Sequence, residues 1–161
     1  MIDPRKLQRA IRFVVFAAVA VMVGLFMRGN KNYGIPENDP SLEPFFPGGS
    51  RVLVDEVDPD DPLERGWDVV YAMEREGQQF ARFGRVRALP GDRVGDREGR
   101  LTVNDDPIGP FPIAGTAMGV VPADHVLILA VMDRASNYPD SRELGFIRRE
   151  DVKARVLAKV P

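Results

Sequence analysis

Few side chains of this 161-residue chain could take part in covalent chemistry. It contains no cysteine and a single histidine, His125, which excludes cysteine catalysis, disulfide scaffolds and Cys/His metal sites. We therefore expect no metal and no cofactor. Ser41, directly after Pro40, has the residue type of a nucleophile. Taken by itself, it is better explained as an ordinary cap or turn serine, so the elements around it must decide.

An apolar segment precedes Ser41 in the chain. Residues 13–27 read FVVFAAVAVMVGLFM, without a polar side chain, between Arg12 and Arg28. The run is short for a hydrocarbon core of about 30 Å, but the flanking arginines can snorkel to the interface. A cleavable signal needs a small-residue site after the apolar core, and a buried soluble helix needs a larger, less charged domain around it. We predict an uncleaved transmembrane anchor.

The distribution of charge predicts an orientation for this anchor. Four cations precede the span, at Arg5, Lys6, Arg9 and Arg12, and two follow it, at Arg28 and Lys31. This asymmetry favours cytoplasmic residues 1–12 and an exported body, hence a single-pass protein of the inner, cytoplasmic membrane. Beyond residue 31, 16 cations face 23 anions. An acidic body without a basic stripe would repel phosphates, so no nucleic-acid partner is expected.

The body has the pattern of a small β domain. Residues 28–40 are polar and contain Gly34, Pro36 and Pro40, which predicts a linker. Short β-branched runs between turn residues then predict strands at 51–54, 68–71, 80–87, 101–103, 125–132 and 153–160. The many prolines and glycines outside these runs argue against long helices. We predict a mainly antiparallel β domain over residues 41–161, with one N-terminal transmembrane helix.

Four patches of residues occur in a definite order. They are Ser41-Leu42-Glu43-Pro44 with Gly49 and Val52-Leu53-Val54; Arg65-Gly66-Trp67-Asp68-Val69-Val70; Arg85 to Asp92, reading RVRALPGD; and Asp133 to Arg142, reading DRASNYPDSR, with Gly145. Together they resemble the conserved boxes of the type I signal peptidase family of membrane-anchored serine peptidases. The resemblance covers roughly residues 36–158. It implies a β-rich domain seated on the membrane surface, with exported preproteins held as an extended strand.

The resemblance also implies a nucleophile and a general base. Ser41 matches the family's serine, whereas the family's lysine, counted back from Leu89–Asp92, falls on Gly84, which cannot accept a proton. None of the four lysines, Lys6, Lys31, Lys153 and Lys159, occupies a matching place. Strand alternation puts Arg82 on the face of Gly84, but a guanidinium with a pKa above about 12 cannot serve as the base. His125 is expected to be a packing residue.

Two more positions depart from the family's pattern. The family's oxyanion hole uses the N–H of the serine and, in many members, a hydroxyl two residues upstream, where this chain has Asp39. A carboxylate there would repel a developing oxyanion. Ser136 is the nearest counterpart of a serine that orients the lysine, although the gap from Arg134 to Asp140 is one residue longer. With Gly84 in the lysine's place, Ser136 has no amine to orient.

The remaining matched residues suit structural roles. Pro90 and Gly91, followed by Asp92, suit a tight turn. Asp140, Ser141 and Arg142 keep the family's order, and an Asp–Arg pair there would brace neighbouring strands whether or not catalysis survives.

Two functions remain open on this basis. The first is a non-catalytic signal peptidase-like protein, a pseudoenzyme, that acts as an accessory or interaction subunit in the membrane or holds exported segments. The alternative is an active type I signal peptidase that cleaves exported preproteins with Ser41 as nucleophile and an unidentified base.

Overall fold

The computed structural model describes residues 12, 14–19, 30–112, 117–132 and 138–161, and the structural statements below concern these residues. The chain divides into two compact units, Met1–Lys31 and Asn32–Pro161. In the first unit, residues 14–19 are helical. No helix within the described ranges is long and apolar enough to cross a membrane. Most of the anchor predicted at residues 13–27 lies outside those ranges.

The second unit is built mainly from β-strands. The strands are β1 Asn30–Gly34, β2 Arg51–Glu56, β3 Asp68–Arg75, β4 Gln78–Ala88, β5 Arg93–Arg97, β6 Arg100–Val103, β7 Asp106–Pro112, β8 Gly119–Val120, β9 His125–Leu129, β10 Ile147–Arg148 and β11 Val152–Val160. A short helix, α1, spans Ser141–Leu144, and a 3-10 turn spans Arg149–Asp151. The prediction of a mainly antiparallel β fold is confirmed.

Two sheets organise these strands. The larger has the order β1-β2-β11-β3-β4-β9-β10, and the smaller has the order β7-β6-β5-β8. In the larger sheet, the central strands β3 and β4 pair antiparallel in unbroken register. Asp68 lies opposite Arg85 at one end, and Arg75 lies opposite Gln78 at the other. By contrast, β9 pairs with β4 only over Arg85–Ala88. Among the described strands, residues 78–84 of β4 therefore pair on one side only.

The alternation of β4 sends its side chains into two apolar clusters. Phe83 packs in one cluster with Leu42 and Val70, while Val86 packs in the other with Val69 and Ile128. Successive residues of a strand face opposite sides of the sheet. Gly84 consequently faces the side of Val86 and Ile128, whereas the Ser41 turn packs through Leu42 on the side of Phe83.

Several strands differ from the sequence prediction. β5, β8 and β10 were not predicted, β3 extends beyond residue 71, and three further differences have a clear physical reason. Asn30–Gly34 forms an edge strand inside the segment predicted as a linker over residues 28–40, since a polar strand at an edge needs only one apolar contact, here Tyr33. β7 carries three prolines and was not predicted, because an edge position tolerates their missing N–H groups. β9 ends at Leu129, before the predicted Met132, because the Ala130 N–H donates to Asp140 instead.

Candidate active site

Ser41 opens a turn that connects β1 and β2. The N–H groups of Phe45 and Phe46 both donate to the Leu42 carbonyl, at 3.1 and 3.0 Å, and wind residues 42–46 into a helical turn. The Ser41 carbonyl accepts the Val131 N–H at 2.6 Å, which ties the turn to the chain that follows β9. Ser41 is only 3% exposed. The turn is therefore held firmly, with its serine largely closed off from solvent.

The Asp39 side chain accepts a hydrogen bond from the backbone N–H of Ser41. Its Oδ1 accepts the Ser41 N–H at 2.9 Å, two residues along the chain, as in an Asx turn. The other oxygen, Oδ2, is buried and has no partner within the described residues. In the family, this same N–H would stabilise the oxyanion. The sequence predicts repulsion from Asp39, and the structure adds that the donor itself is already engaged.

Gly84 lies in β4 opposite Val69 of β3. The packing around it leaves no room for a side chain. A Cβ built on Gly84 would lie 2.6 Å from Cγ2 of Ile128 and 3.1 Å from the carbonyl oxygen of Leu129. Its backbone is not left-handed, so conformation does not require glycine here. Packing against β9 does. The sequence predicts that Gly84 occupies the lysine position, but it did not indicate the contact with Ile128, because the β4–β9 register is a tertiary feature.

No base accompanies the Ser41 hydroxyl within the described part of the chain, where this hydroxyl makes no hydrogen bond. Arg82 lies on the predicted face, yet its guanidinium stacks on the rings of Phe80 and Tyr138, at 5.3 Å from each centroid. His125 Nδ1 lies 2.8 Å from the Asp124 carboxylate. Ser136 falls outside the described residues. No group of three His, Asp or Glu side chains that could hold a metal ion is found in the described ranges.

Tyr71 is a buried titratable residue that sequence reasoning missed. Burial, followed by the negative charge of Asp140, raises the pKa of its phenol above the ordinary value. The phenol thus stays protonated, and it donates a hydrogen bond to the Pro139 carbonyl at 3.0 Å. A phenol held as a donor cannot act as the missing base. Tyr71 lies within a β-branched run that predicts only a strand, so nothing in the sequence indicated its burial or its hydrogen bond.

Arg85 fixes the Ser41 turn against β4. Its Nε and terminal nitrogen donate to the two Asp68 oxygens at 2.7 and 2.8 Å, and this pair raises the pKa of Arg85. The same guanidinium lies 4.9 Å from the ring centroid of Phe45, which belongs to the turn. Cation–π contacts of this kind contribute about 0.5–2 kcal/mol. The family-like Arg85 is therefore a positioning residue.

The segment Asp140-Ser141-Arg142 supports β9 through its backbone. Asp140 caps α1 by accepting the Arg142 N–H at 2.9 Å, and it also pairs with the Arg142 guanidinium. Its Oδ2 accepts the Ala130 N–H at 2.9 Å, and Ser141 Oγ accepts the Ile128 N–H at 2.9 Å. These contacts hold the strand whose Ile128 closes the space at Gly84.

Pro90, Gly91 and Asp92 form a braced turn. Gly91 has a positive φ of 86°, and the Asp92 N–H donates to the Leu89 carbonyl at 3.0 Å. Proline followed by a left-handed glycine is the pattern of a type II turn. The Asp92 carboxylate accepts the Leu89 N–H at 2.7 Å and Asn104 Nδ2 at 3.1 Å, and it forms an ion pair with Arg65. The turn joins β4 to β5.

A comparison with protein-family models shows which family the chain belongs to. The family model described as signal peptidase, peptidase S26, matches residues 7–160. This chain belongs to the signal peptidase family. A search of curated proteins gives no match. Membership supports a signal peptidase-like function, while the roles of Ser41, Asp39, Gly84 and Ser136 stay predictions.

Within the signal peptidase family, the described residues support positioning better than proton transfer. Arg85 and the Val131 N–H hold the Ser41 turn, and Asp140 and Ser141 hold β9. In contrast, the Ser41 hydroxyl has no basic partner in the described ranges, and its N–H is bonded to Asp39. These contacts hold the chain's own segments in place, but the described groups around Ser41 offer no acceptor for the proton of its hydroxyl.

Proposed function

We propose that this member of the signal peptidase family does not cleave, and that it acts as a membrane-anchored interaction protein that holds exported segments. The observation that carries the proposal is the contact at Gly84. Any residue other than glycine at this position would place its Cβ 2.6 Å from Ile128 Cγ2. Ile128, on the neighbouring strand, therefore fills the space that a lysine side chain would need. The loss of the base is therefore built into the core packing.

The chemistry of acyl transfer explains why this matters. A serine hydroxyl is a weak nucleophile until a base removes its proton. Removing a member of a catalytic serine machine typically leaves only about 1000- to 10,000-fold catalysis over water. Loss of one oxyanion donor typically costs a further 100- to 1000-fold, and here Asp39 takes the Ser41 N–H at 2.9 Å. Both effects act against the same reaction.

An edge of β4 that pairs with no second strand among the described residues supports the holding role. Residues 78–84 of β4 pair with β3 on one side, and β9 pairs with β4 only from Arg85 onward. An open edge presents backbone N–H and C=O groups that an extended polypeptide can join as a further strand. This binding mode needs neither a base nor an oxyanion hole. It is compatible with every departure found at Ser41 and Gly84.

Location at the membrane is part of the proposal. The apolar residues 13–27, flanked by Arg12 and Arg28, would anchor the chain in the inner membrane, with the N-terminus in the cytoplasm and the β domain on the exported side. An uncleaved anchor predicts that the mature protein begins near Met1 and stays in the membrane fraction after an alkaline wash. A mature N-terminus after Ala20 would contradict it.

Incubation of the purified full-length protein with a preprotein tests the function. We expect no cleavage by the wild-type protein or by the matched Ser41→Ala variant, together with retention of the preprotein on the immobilised wild-type protein. Cleavage that depends on Ser41 overturns the non-catalytic assignment. Failure to retain any preprotein overturns the holding role.

A further inference from the structure

An arginine stacks on the only tryptophan of the chain, at the surface of the larger sheet. The guanidinium of Arg155, on β11, lies 4.0 Å from the ring centroid of Trp67, the residue that precedes β3. The indole Nε1 donates to a carboxylate oxygen of Glu64 at 3.2 Å. A guanidinium so close to an indole face is held by cation–π attraction and stacking. Trp67 therefore fixes the position of the Arg155 fork.

Arg155 has no acidic partner within the described part of the chain. It forms no ion pair and no hydrogen bond there, although Asp55 lies opposite it on β2. Its nitrogen atoms are not buried either, so the donors face solvent. The planar guanidinium fork matches a carboxylate through two parallel hydrogen bonds. An arginine that is held in place by stacking and keeps its donors free is prearranged to receive a carboxylate.

Apolar side chains lie beside this arginine on β2 and β11. Leu53 is two residues from the residue opposite Arg155, so it lies on the same face of the sheet. Ala158 is opposite Leu53, and Leu157 is 43% exposed. We refer to Leu53, Trp67, Arg155, Leu157 and Ala158 as the tryptophan patch. Its composition, an aromatic ring and an arginine among aliphatic side chains, is typical of the residues that dominate protein interfaces.

The charges around the patch restrict what can bind it. Asp55 and Glu64 are both exposed and flank Arg155 and Trp67. Two carboxylates would repel an extended anionic surface, such as a layer of lipid phosphates. A single carboxylate can approach Arg155 between them. The exposed leucine at position 157 favours an apolar neighbour for that carboxylate, because its burial removes apolar surface from water.

We propose that the tryptophan patch docks a partner protein through a segment in which an aspartate or glutamate lies next to a leucine-sized apolar side chain. The carboxylate accepts the free donors of Arg155, and the apolar side chain covers Leu157 and Leu53. Arg155 is paired with Val69, whose apolar cluster lies on the face of the sheet opposite that of Leu42. The patch is therefore separate from the Ser41 turn, and the proposal goes beyond the holding of exported segments.

Peptide binding followed by the fluorescence of Trp67 tests this proposal. An array of twelve-residue serine–glycine peptides, with two leucines and one glutamate at varied positions, is screened with the purified full-length protein. The best peptides are then titrated in solution, where Trp67 is the only tryptophan. We expect a saturable change in its emission. Replacement of the glutamate by glutamine, or of the leucines by serine, should weaken binding at least about tenfold.

Matched variants of the protein separate the patch from general effects on the fold. Arg155→Gln should weaken binding at least about tenfold, and Arg155→Lys should recover only part of it, because an ammonium lacks the planar fork. Arg97→Gln removes an exposed arginine at the end of β5 and should bind as the wild type does. Leu157→Ser should weaken binding, whereas Leu144→Ser, at a leucine of similar exposure on α1, should not. Circular dichroism checks that each variant is folded.

Three outcomes overturn the proposal. They are failure of every array peptide to bind, binding that tolerates Arg155→Gln, and binding that tolerates the change of glutamate to glutamine. A fourth is an Arg155-dependent change in Trp67 emission in phosphatidylglycerol nanodiscs without peptide, absent in phosphatidylcholine nanodiscs, which would assign the patch to lipid. Retention of preproteins is measured separately, so each of these results leaves the holding role as it stands.

Discussion

The Cβ that Gly84 lacks would lie 2.6 Å from Cγ2 of Ile128, closer than two carbon atoms can pack. The two residues lie on neighbouring antiparallel strands, where Val86 of β4 is paired with Ile128 of β9. Ile128 is fully buried, and its own N–H is bonded to Ser141 Oγ at 2.9 Å. It therefore has little freedom to move away. The residue types at positions 84 and 128 are interdependent.

Gly84→Ala should destabilise the protein by about 1–3 kcal/mol, since the added methyl group overpacks the core. Ile128→Ala should cost about 2–5 kcal/mol through the cavity it leaves. In the double variant the new methyl enters that cavity, so the combined loss should be smaller than the sum of the two. Urea unfolding of the three variants measures this coupling. Strictly additive losses would show that the two side-chain positions do not meet.

A lysine at position 84 should not by itself restore a base for Ser41. Gly84→Lys places its side chain against Ile128, on the face of β4 opposite the side on which the Ser41 turn packs through Leu42. We therefore expect no preprotein cleavage by Gly84→Lys, alone or combined with Ile128→Ala.

The matched control for that experiment is the double variant Gly84→Lys/Ile128→Ala with Ser41→Ala added, which should be inactive as well. Circular dichroism must show a folded protein in both, so that inactivity is not a result of unfolding. Cleavage by Gly84→Lys with Ile128 intact would contradict the blocked-site explanation. Activity in the Ser41→Ala control would point to a contaminating peptidase.

The sequence predicted the central strands well because β3, β4 and β11 bury β-branched residues between clear turn signals. It predicted the turn at Pro90 and Gly91 for the same local reason. The edge strands β1 and β7 were missed, since β1 is polar and β7 contains prolines that only an edge tolerates. The inner strand β5 was missed as well.

The site was predictable only as far as residue types go. The absence of a lysine at Gly84 is visible in the sequence, and so is a carboxylate at Asp39. Ile128 fills the space at Gly84 because of the register of β4 with β9. Asp39 accepts the Ser41 N–H because of the geometry of the turn. Neither follows from local sequence.

Asp39→Ser should preserve the Ser41 turn, whereas Asp39→Ala should weaken it. A serine hydroxyl can accept the Ser41 N–H in place of Oδ1 and removes the buried, unpartnered Oδ2. Alanine leaves that buried N–H without an acceptor, at a cost of about 1 kcal/mol. Thermal unfolding should rank Asp39→Ser above Asp39→Ala. The reverse order would contradict a capping role for Asp39.

Asp92 should make the fold sensitive to acid. Burial opposes its ionisation, but hydrogen bonds from Leu89 N–H, Arg65 and Asn104 outweigh it and lower the pKa of the carboxyl below the ordinary value. Because the unfolded chain titrates near 3.9, the ionised carboxylate stabilises the fold above that pH. This stabilisation is lost as the pH falls through the lower folded-state pKa.

We therefore expect Asp92→Asn to lower the melting temperature most near pH 7, with a shrinking difference from wild type between about pH 4 and pH 2. Asp105→Asn is the matched control, since Asp105 is an exposed turn residue for which asparagine is equally suitable. Its melting curve should follow that of the wild type throughout. A constant offset between Asp92→Asn and wild type down to pH 2 would mean that Asp92 stabilises the turn through shape and not through its charge.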